Sequence, residues 1–587
     1  MLRRQIDCRH PLFLTADCGS DVPDAEKEIE TLFGEDAPKY RSVYLRLRSA
    51  WAAYPDWIRP YLVYQISIFP YRPKEGQLVF IDDLLTAADR MNIHCVWQVA
   101  GWNSNYNEET MGNCASCEQV EAMLKKHPSF LGVDIVEQSC MDGLVPARRT
   151  YICDMLRLCA KYGAYVFWKD MGYPLTAHPM TIMGTDKEML DTVRRYADNL
   201  VLINKRNGMA KHLQASGCAL AYWLTGLCHA WGINSESWMQ YESGHVGLFE
   251  PVKTWRLLHY APEQSRAQIQ TVFTAPETSF AQQILPDLAM GACVFSEETF
   301  GQIVSSEPTP IFRDVLGPLF EKAVNSDIIP DRETVRRKIR AAYRVSDLDA
   351  PEISMWGYGL YRGLCWTDSP DSYYEEHECS VEWLPRCGRY ATIPLLPALI
   401  SDEELSRLGP DVDVLDAASY AAAFPTEEDK RAWFDERYPE EFAGDAWGIS
   451  VGDWWYFMHP EENTDDVKHF SLKTKRRGIE ISGDLYHHTV GYIHEGEERD
   501  ELWFSNLCSD SSSIWDGTFG DFNTFNSGAY LRKMMYDPDL SRKDPTCLSF
   551  RGVSDVFVEG DCTVKKEQNG DVLTLTLTGN GTVRLTF

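Results

Sequence analysis

Nowhere in the 587 residues do 18 apolar residues run together, so the sequence offers no membrane-spanning helix. Its basic start, MLRRQIDCRHPLFLTADCGS, leads into no apolar stretch of signal-peptide length, and a soluble chain is the expectation. No GxGxxG turn and no HExxH or HxH pair at a strand end occurs, and no serine-hydrolase elbow is expected. Dinucleotide binding and zinc-peptidase chemistry thus lack their usual signatures, and serine hydrolysis is not the expected chemistry. Cys114 and Cys117 (CASC) have metal or redox spacing, but no second CxxC completes a zinc site. The cysteine total of 17 is odd, which leaves at least one unpaired within the chain. Cys95, Cys218 and Cys293 sit in apolar runs and read as small buried hydrophobes. A reducing or anaerobic setting fits this usage better than a disulfide framework.

Positive charge is scarce: 57 Lys and Arg against 87 Asp and Glu leave a net charge of −30. Such a surface repels nucleic acid and anionic lipid, keeps a protein in solution and favours a neutral substrate. Aromatic side chains, by contrast, are plentiful. The 18 Trp and 28 Tyr exceed ordinary core needs, and flat rings are what sugars stack on, although aromatics also fill cores.

The first 300 residues alternate. Short apolar runs at 11–17, 61–69, 93–99, 131–137, 164–169, 199–204, 218–225 and 291–296 are separated by segments of helical periodicity such as LVFIDDLLTAADRM and KEMLDTVRRYAD. Near-continuous apolar strands between amphipathic helices predict a parallel sheet covered by helices, and eight of them predict closure into a (β/α)8 barrel. The helical stretch DRETVRRKIRAAY ends this region, giving a barrel domain over 1–345. Residues 346–445 form an aromatic-rich connecting segment packed on the barrel. From 446 to 587 strand-length runs alternate with turns, predicting an antiparallel β-sandwich whose tail is a meander with NGD and GNG turns.

Catalytic groups of such barrels lie at the C-terminal ends of the strands. There the sequence places Glu137 (GVDIVEQ) after strand four, Lys169-Asp170 after strand five and Asn204-Lys205-Arg206 after strand six. Glu236 and Glu242 (HAWGINSESWMQYESG) follow strand seven, and Glu297-Glu298 follow strand eight. Any one strand-end Glu can be a salt-bridge partner or a helix cap. Carboxylates gathered at strands four, seven and eight beside aromatics, with no phosphate loop or metal-ligand set, fit glycoside hydrolysis best: one protonated carboxyl serves the leaving oxygen and another carboxylate acts as nucleophile or base. Trp97, Trp102, Trp223, Trp231 and Trp238 fall near strand ends, and two or three of them are expected to be sugar platforms. The His487-His488 pair reads as a surface or cross-strand feature.

At GVDIVEQ, WGINSESWMQYESG and FSEETF, supported by PYLVYQISIFP, YGAYVFWKDMG, NLVLINKRNG and GRYATIPLLP, the chain resembles glycoside hydrolase family 98 over nearly its whole length. The resemblance implies an inverting endo-glycosidase with a barrel and a C-terminal β-sandwich. Its substrate would be blood-group A or B oligosaccharides on mucin-type glycans cut at Galβ1-4GlcNAc, or xylan as in other members. It implies Glu137 as general acid and a base shared by an Asp of the strand-seven region and a Glu of strand eight. Glu297 matches the latter; the Asp is replaced, with Glu236 nearest its place and Glu242 slightly beyond. Trp102, Asn103, Lys169, Asn204, Lys205, Arg206, Trp231, Trp238 and Glu242 are then placed to contact sugar.

This mechanism needs no metal or other cofactor, and the partner is a glycan rather than nucleic acid or a membrane. Family resemblance places the protein outside the cell or at its surface. Two readings from other classes stay open: a non-catalytic glycan-binding protein, and a metal-dependent barrel hydrolase, against which the missing His ligands argue.

Overall fold

The computed structural model describes residues 2–16, 22–101, 111–138, 146–170, 183–184, 186–207, 213–236, 276–297, 308, 312–345, 390–459, 467–485, 489–506, 545–560, 562–578 and 581–587. Eight strands, β1 (Leu12–Thr15), β2 (Leu62–Ser67), β3 (Cys95–Ala100), β4 (Phe130–Val136), β5 (Tyr165–Asp170), β6 (Leu200–Asn207), β7 (Ala230–Glu236) and β8 (Val294–Glu297), form a closed barrel in chain order. All neighbours are parallel, and Leu12↔Val294 and Phe13↔Phe295 seal β8 to β1. Around them run α1 (Ala25–Phe33), α2 (Ala37–Ala52), α3 (Glu75–Met91), α4 (Cys117–Lys126), α5 (Pro146–Lys161), α6 (Lys187–Tyr196), α7 (Leu213–Thr225) and α8 (Pro276–Ala289). Strand β4 is buried along its whole length because helices cover one face and the barrel interior the other. Strands β4 and β5 approach closely at Gly132: with φ 144° and a Tyr165 carbonyl oxygen 1.9 Å from where a Cβ would stand, only glycine fits.

The expected seventh strand is corrected. Residues 218–225 (CALAYWLT) belong to α7, and AWGINSE is the strand. A short apolar run does not by itself distinguish a buried strand from a buried helix. Here α7 is apolar on all sides because it is wrapped: one side lies on the barrel and another against the connecting segment, where Gly217 leaves no room for a Cβ beside the Ile393 carbonyl. The true strand carries Gly232, Asn234 and Ser235, residues poor in intrinsic strand preference.

Past the barrel come α9 (Gly317–Asn325) and α10 (Arg332–Lys338), the latter capped by Asp331. The predicted helix ends there, and Ala341–Arg344 is a strand, β9, central in a small parallel sheet with β10 (Leu395–Leu396) and β11 (Asp413–Leu415). Helix α11 (Asp402–Ser406) docks this segment on the barrel, Glu404 taking Nε and Nη2 of Arg194 at 2.8 and 2.9 Å. Helices α12 (Ala417–Ala423) and α13 (Glu427–Arg437) complete it.

The C-terminal region is a sandwich of two six-stranded sheets. One runs β12 (Phe442–Gly444), β15 (Lys468–Lys473), β16 (Glu480–Leu485), β19 (Thr546–Arg551), β22 (Val572–Thr578) and β21 (Thr563–Asn569). The other runs β13 (Trp447–Val451), β14 (Trp454–Met458), β17 (Val490–Glu495), β18 (Asp500–Asn506), β23 (Gly581–Thr586) and β20 (Phe557–Gly560). The sequences explain which sheet faces the barrel. WGISV and WWYFM are buried at every position, whereas KHFSLK alternates buried and exposed. Trp454 Nε1 donates to Asp327 Oδ1 at 3.1 Å and Lys322 meets Glu501 at 3.0 Å across this junction. The expected meander is corrected as well. The NGD turn does join β21 to β22, with Gly570 at φ 63°, but β23 crosses to the other sheet and pairs with β18 and β20. A GxSxG string, Gly448–Gly452, ends in the β13–β14 hairpin, not on a strand-to-helix turn, so it is no nucleophile elbow.

Candidate active site

Successive side chains of a strand point to opposite faces, so half of each barrel strand looks inward and half toward the helices. On β4, Asp134 faces in and is fully buried; on β5, Lys169 faces in, its Nζ 2.9 Å from Asp134 Oδ2 and 2.8 Å from Gln65 Oε1 on β2. Gln98 on β3 accepts from Ser67 at 2.7 Å. These groups form a polar layer inside the barrel, where a buried ammonium is tolerable only because a carboxylate and an amide oxygen replace its water.

Above that layer stands Glu137, the first residue past β4. Its backbone is left-handed (φ 51°) and donates its N–H to the Lys169 carbonyl at 2.9 Å. A non-glycine residue in that region costs about 1–2 kcal/mol, and such positions concentrate at functional sites. The carboxylate receives the Lys205 ammonium from β6 in direct contact; Lys205 is wholly buried and the Glu137 side chain keeps 11% exposure. The turn is clamped from outside the barrel: Gln138 N–H donates to Asp170 Oδ2 at 3.0 Å, and the buried Arg148 of α5 donates to the Gln138 carbonyl at 2.7 Å. Asp170 also accepts Trp168 Nε1 at 3.0 Å, so it braces the turn.

Glu236 is the last residue of β7, in register with Asn207, and Glu297 the last of β8, in register with Ser235; both are described by backbone alone. In an eight-stranded ring β8 is four strands from β4 either way round, so Glu297 and Glu137 end opposite walls of the mouth, and Glu236 ends the wall beside Glu297. Trp102, Asn103, Trp238, Glu242, Glu298 and the His487-His488 pair lie outside the described residues.

Two expected sugar contacts, Asn204 and Trp231, sit elsewhere. Asn204 alternates with Lys205 and therefore faces the helices, donating to Ser216 of α7 at 2.7 Å and Asp287 of α8 at 3.3 Å. Trp231 lies on the same outward face of β7 as Ile233, the register partner of Asn204, and is completely buried; it is core, not a platform. Trp97 and Trp223 are also buried. Lys169 and Lys205 do face inward, but against Asp134 and Glu137. Missed in the sequence were Gln65, Asp134 and Arg148; the signal for Asp134 was a charge inside an otherwise apolar strand. Cys114 is buried and Cys117 half-buried, and burial with Asp154 nearby pushes Cys117 up to about 11, far from a reactive thiolate. Among the described residues no three His, Cys, Asp or Glu side chains converge as a metal-ligand set, and no helix is long and apolar enough to cross a membrane.

Comparison with known proteins agrees with this architecture. The family model for glycosyl hydrolase family 98 matches residues 1–330, and that for the family 98 C-terminal domain matches 332–587. A blood-group-substance endo-1,4-beta-galactosidase of Clostridium perfringens is 22% identical over 542 residues, covering 88% of this chain; the chain spans 61% of that relative's length. Catalytic modules of a family 98 glycoside hydrolase from Streptococcus pneumoniae TIGR4, in complex with the H-disaccharide and the LewisY pentasaccharide blood group antigens, superpose over 100% of both chains. They do so at 20% identity with TM-scores of 0.75 and 0.74. With both of its regions matched by the family's models, the chain belongs to glycosyl hydrolase family 98.

Proposed function

We propose that the protein is an inverting endo-glycoside hydrolase that cuts a β-1,4-galactosidic bond within blood-group A- or B-type glycans, working outside the cell or at its surface. Glu137 gives its proton to the glycosidic oxygen. Glu236 and Glu297 hold and deprotonate the water that attacks the anomeric carbon from the opposite face, with Glu242 as the alternative to Glu236. The observation that carries this reading is the placement of Glu137, on strained backbone at one side of the mouth, facing the ends of β7 and β8.

The dimensions support it. Eight strands spaced about 4.8 Å apart and tilted about 36° enclose a ring about 15 Å across. Across such a ring two glutamate side chains of about 4 Å each would leave about 7 Å between them, within the roughly 6.5–9.5 Å an inverting pair needs for its water. The substrate class is supported by the Clostridium relative's name and by the antigens bound to the Streptococcus modules.

The test is hydrolysis of blood-group A and B type 2 oligosaccharides, the H analogue and xylan by native protein and Glu137→Gln, with products identified by mass. Release of an A or B trisaccharide by native protein alone is the expected result. Xylo-oligosaccharides would move the substrate and keep the mechanism, and binding without cleavage would make the protein a glycan receptor.

A further inference from the structure

We infer that Lys205 is a positioning residue that holds Glu137 as its carboxylate between turnovers and thereby confines proton donation to acidic pH. The inference rests on Glu137 being the donor. A carboxyl lifted out of water normally holds its proton more tightly, which would suit a general acid near neutrality. At this mouth the opposite charge is already in place, since the fully buried Lys205 ammonium touches Glu137 Oε1. A cation in contact favours the ionised acid and offsets the effect of burial.

On β4 and β5, Asp134 and Lys169 neutralise each other at 2.9 Å. The β2 and β3 groups facing in, Gln65, Ser67 and Gln98, carry no charge. Asp170 lies on the helix side of β5, bonded to Trp168 and to the Gln138 N–H. From β7 and β8 the titratable groups at the mouth are Glu236 and Glu297, each at a strand end. A carboxylate brought close from either strand end would favour the protonated form of Glu137, and Lys205 opposes it.

The sign follows. The reactive form of Glu137 is protonated, so kcat/KM falls as pH rises through its pKa. Lys205 lowers that pKa and draws the alkaline limb toward acid. The same contact assists the chemistry, because donation leaves a carboxylate that already has its counter-ion. Lys205 also fixes the carboxyl by contact on one oxygen, so its loss costs rate as well as moving the profile.

The experiment is the pH dependence of kcat/KM on a blood-group oligosaccharide for native protein, Lys205→Met, Lys205→Arg and Glu137→Gln. For Lys205→Met the alkaline limb is expected to move up by at least about one pH unit, a tenfold change in proton affinity. Its maximal rate should fall at least about tenfold, and Lys205→Arg, which keeps the charge, should hold the limb near the native position. A lower rate with an unmoved limb overturns the inference while leaving the donor in place, provided Glu137→Gln is inactive. Native-like activity of Glu137→Gln overturns both. Should Lys205→Met not fold, the native profile decides: an alkaline limb below about pH 6 supports the inference, and one at about pH 7 or above overturns it.

Discussion

Replacing Lys169 with Met tests whether the polar layer inside the barrel is an ion pair that the fold depends on. Lys169 is 3% exposed and Asp134 not at all, at 2.9 Å from each other. In a medium of effective dielectric about 20 the gross attraction at that distance is about 6 kcal/mol, opposed by several kcal/mol of desolvation for each ion. The pair as a whole is therefore near neutral, but removing one partner leaves a carboxylate in the barrel interior without its cation, at a cost of about 3–5 kcal/mol. For a domain of this size each kcal/mol lowers the midpoint by about 2 °C, so Lys169→Met should melt about 6–10 °C below native in a thermal scan at pH 7. The double variant Asp134→Leu/Lys169→Met should recover most of that loss, because the uncompensated charge is gone. A drop under about 2 °C for the single variant, or a double variant that falls as far as the two singles summed, would refute the reasoning.

Other consequences are independent of that pair. At position 137, Gly should be about 1 kcal/mol more stable than Ala by denaturant unfolding, since φ is 51° there; equal stabilities would remove the strain argument. Trp231→Ala should cost about 3–5 kcal/mol of stability, and Trp231→Phe should leave KM for a glycan unchanged, because this ring is wholly buried; a raised KM for Phe would restore it as a sugar contact. His94, which burial and the nearby Arg4 push down to about 4, stays neutral in the fold but takes a proton near 6.5 when unfolded. Its folded pKa is depressed, so its stability contribution is present above about pH 6.5 and lost as pH falls toward 4. His94→Phe should flatten that part of the stability profile, and an unchanged slope there would count against the assignment.

Periodicity made the barrel legible because seven of its strands are β-rich apolar runs between amphipathic helices. The seventh was hidden: α7 is apolar all round and imitates a buried strand, while AWGINSE, with its glycine and polar residues, imitates a loop. Strand alternation explains the site in the same way. Asn204 and Lys205 are neighbours in sequence, yet one faces helices and the other the barrel interior, and only the register of β6 decides which. Glu137 was found from its strand end, but its lysine partner and left-handed backbone are properties of three strands together. The tail strands carried their hairpin turn plainly, whereas the sheet that β23 joins depends on pairing with β18, some 80 residues away in the chain, which local turn signals do not encode.

The most direct test of the central claim, that Glu137 donates the proton in glycoside cleavage, compares Glu137→Gln with native protein on two substrates sharing one oligosaccharide: the natural glycan and the 4-nitrophenyl β-glycoside of the A trisaccharide. The aryl oxide leaves without protonation. With Glu137 as the donor, the loss is about 10²–10⁴-fold on the glycan and less than about tenfold on the aryl glycoside. Equal losses on both substrates, or none on the glycan, would contradict it.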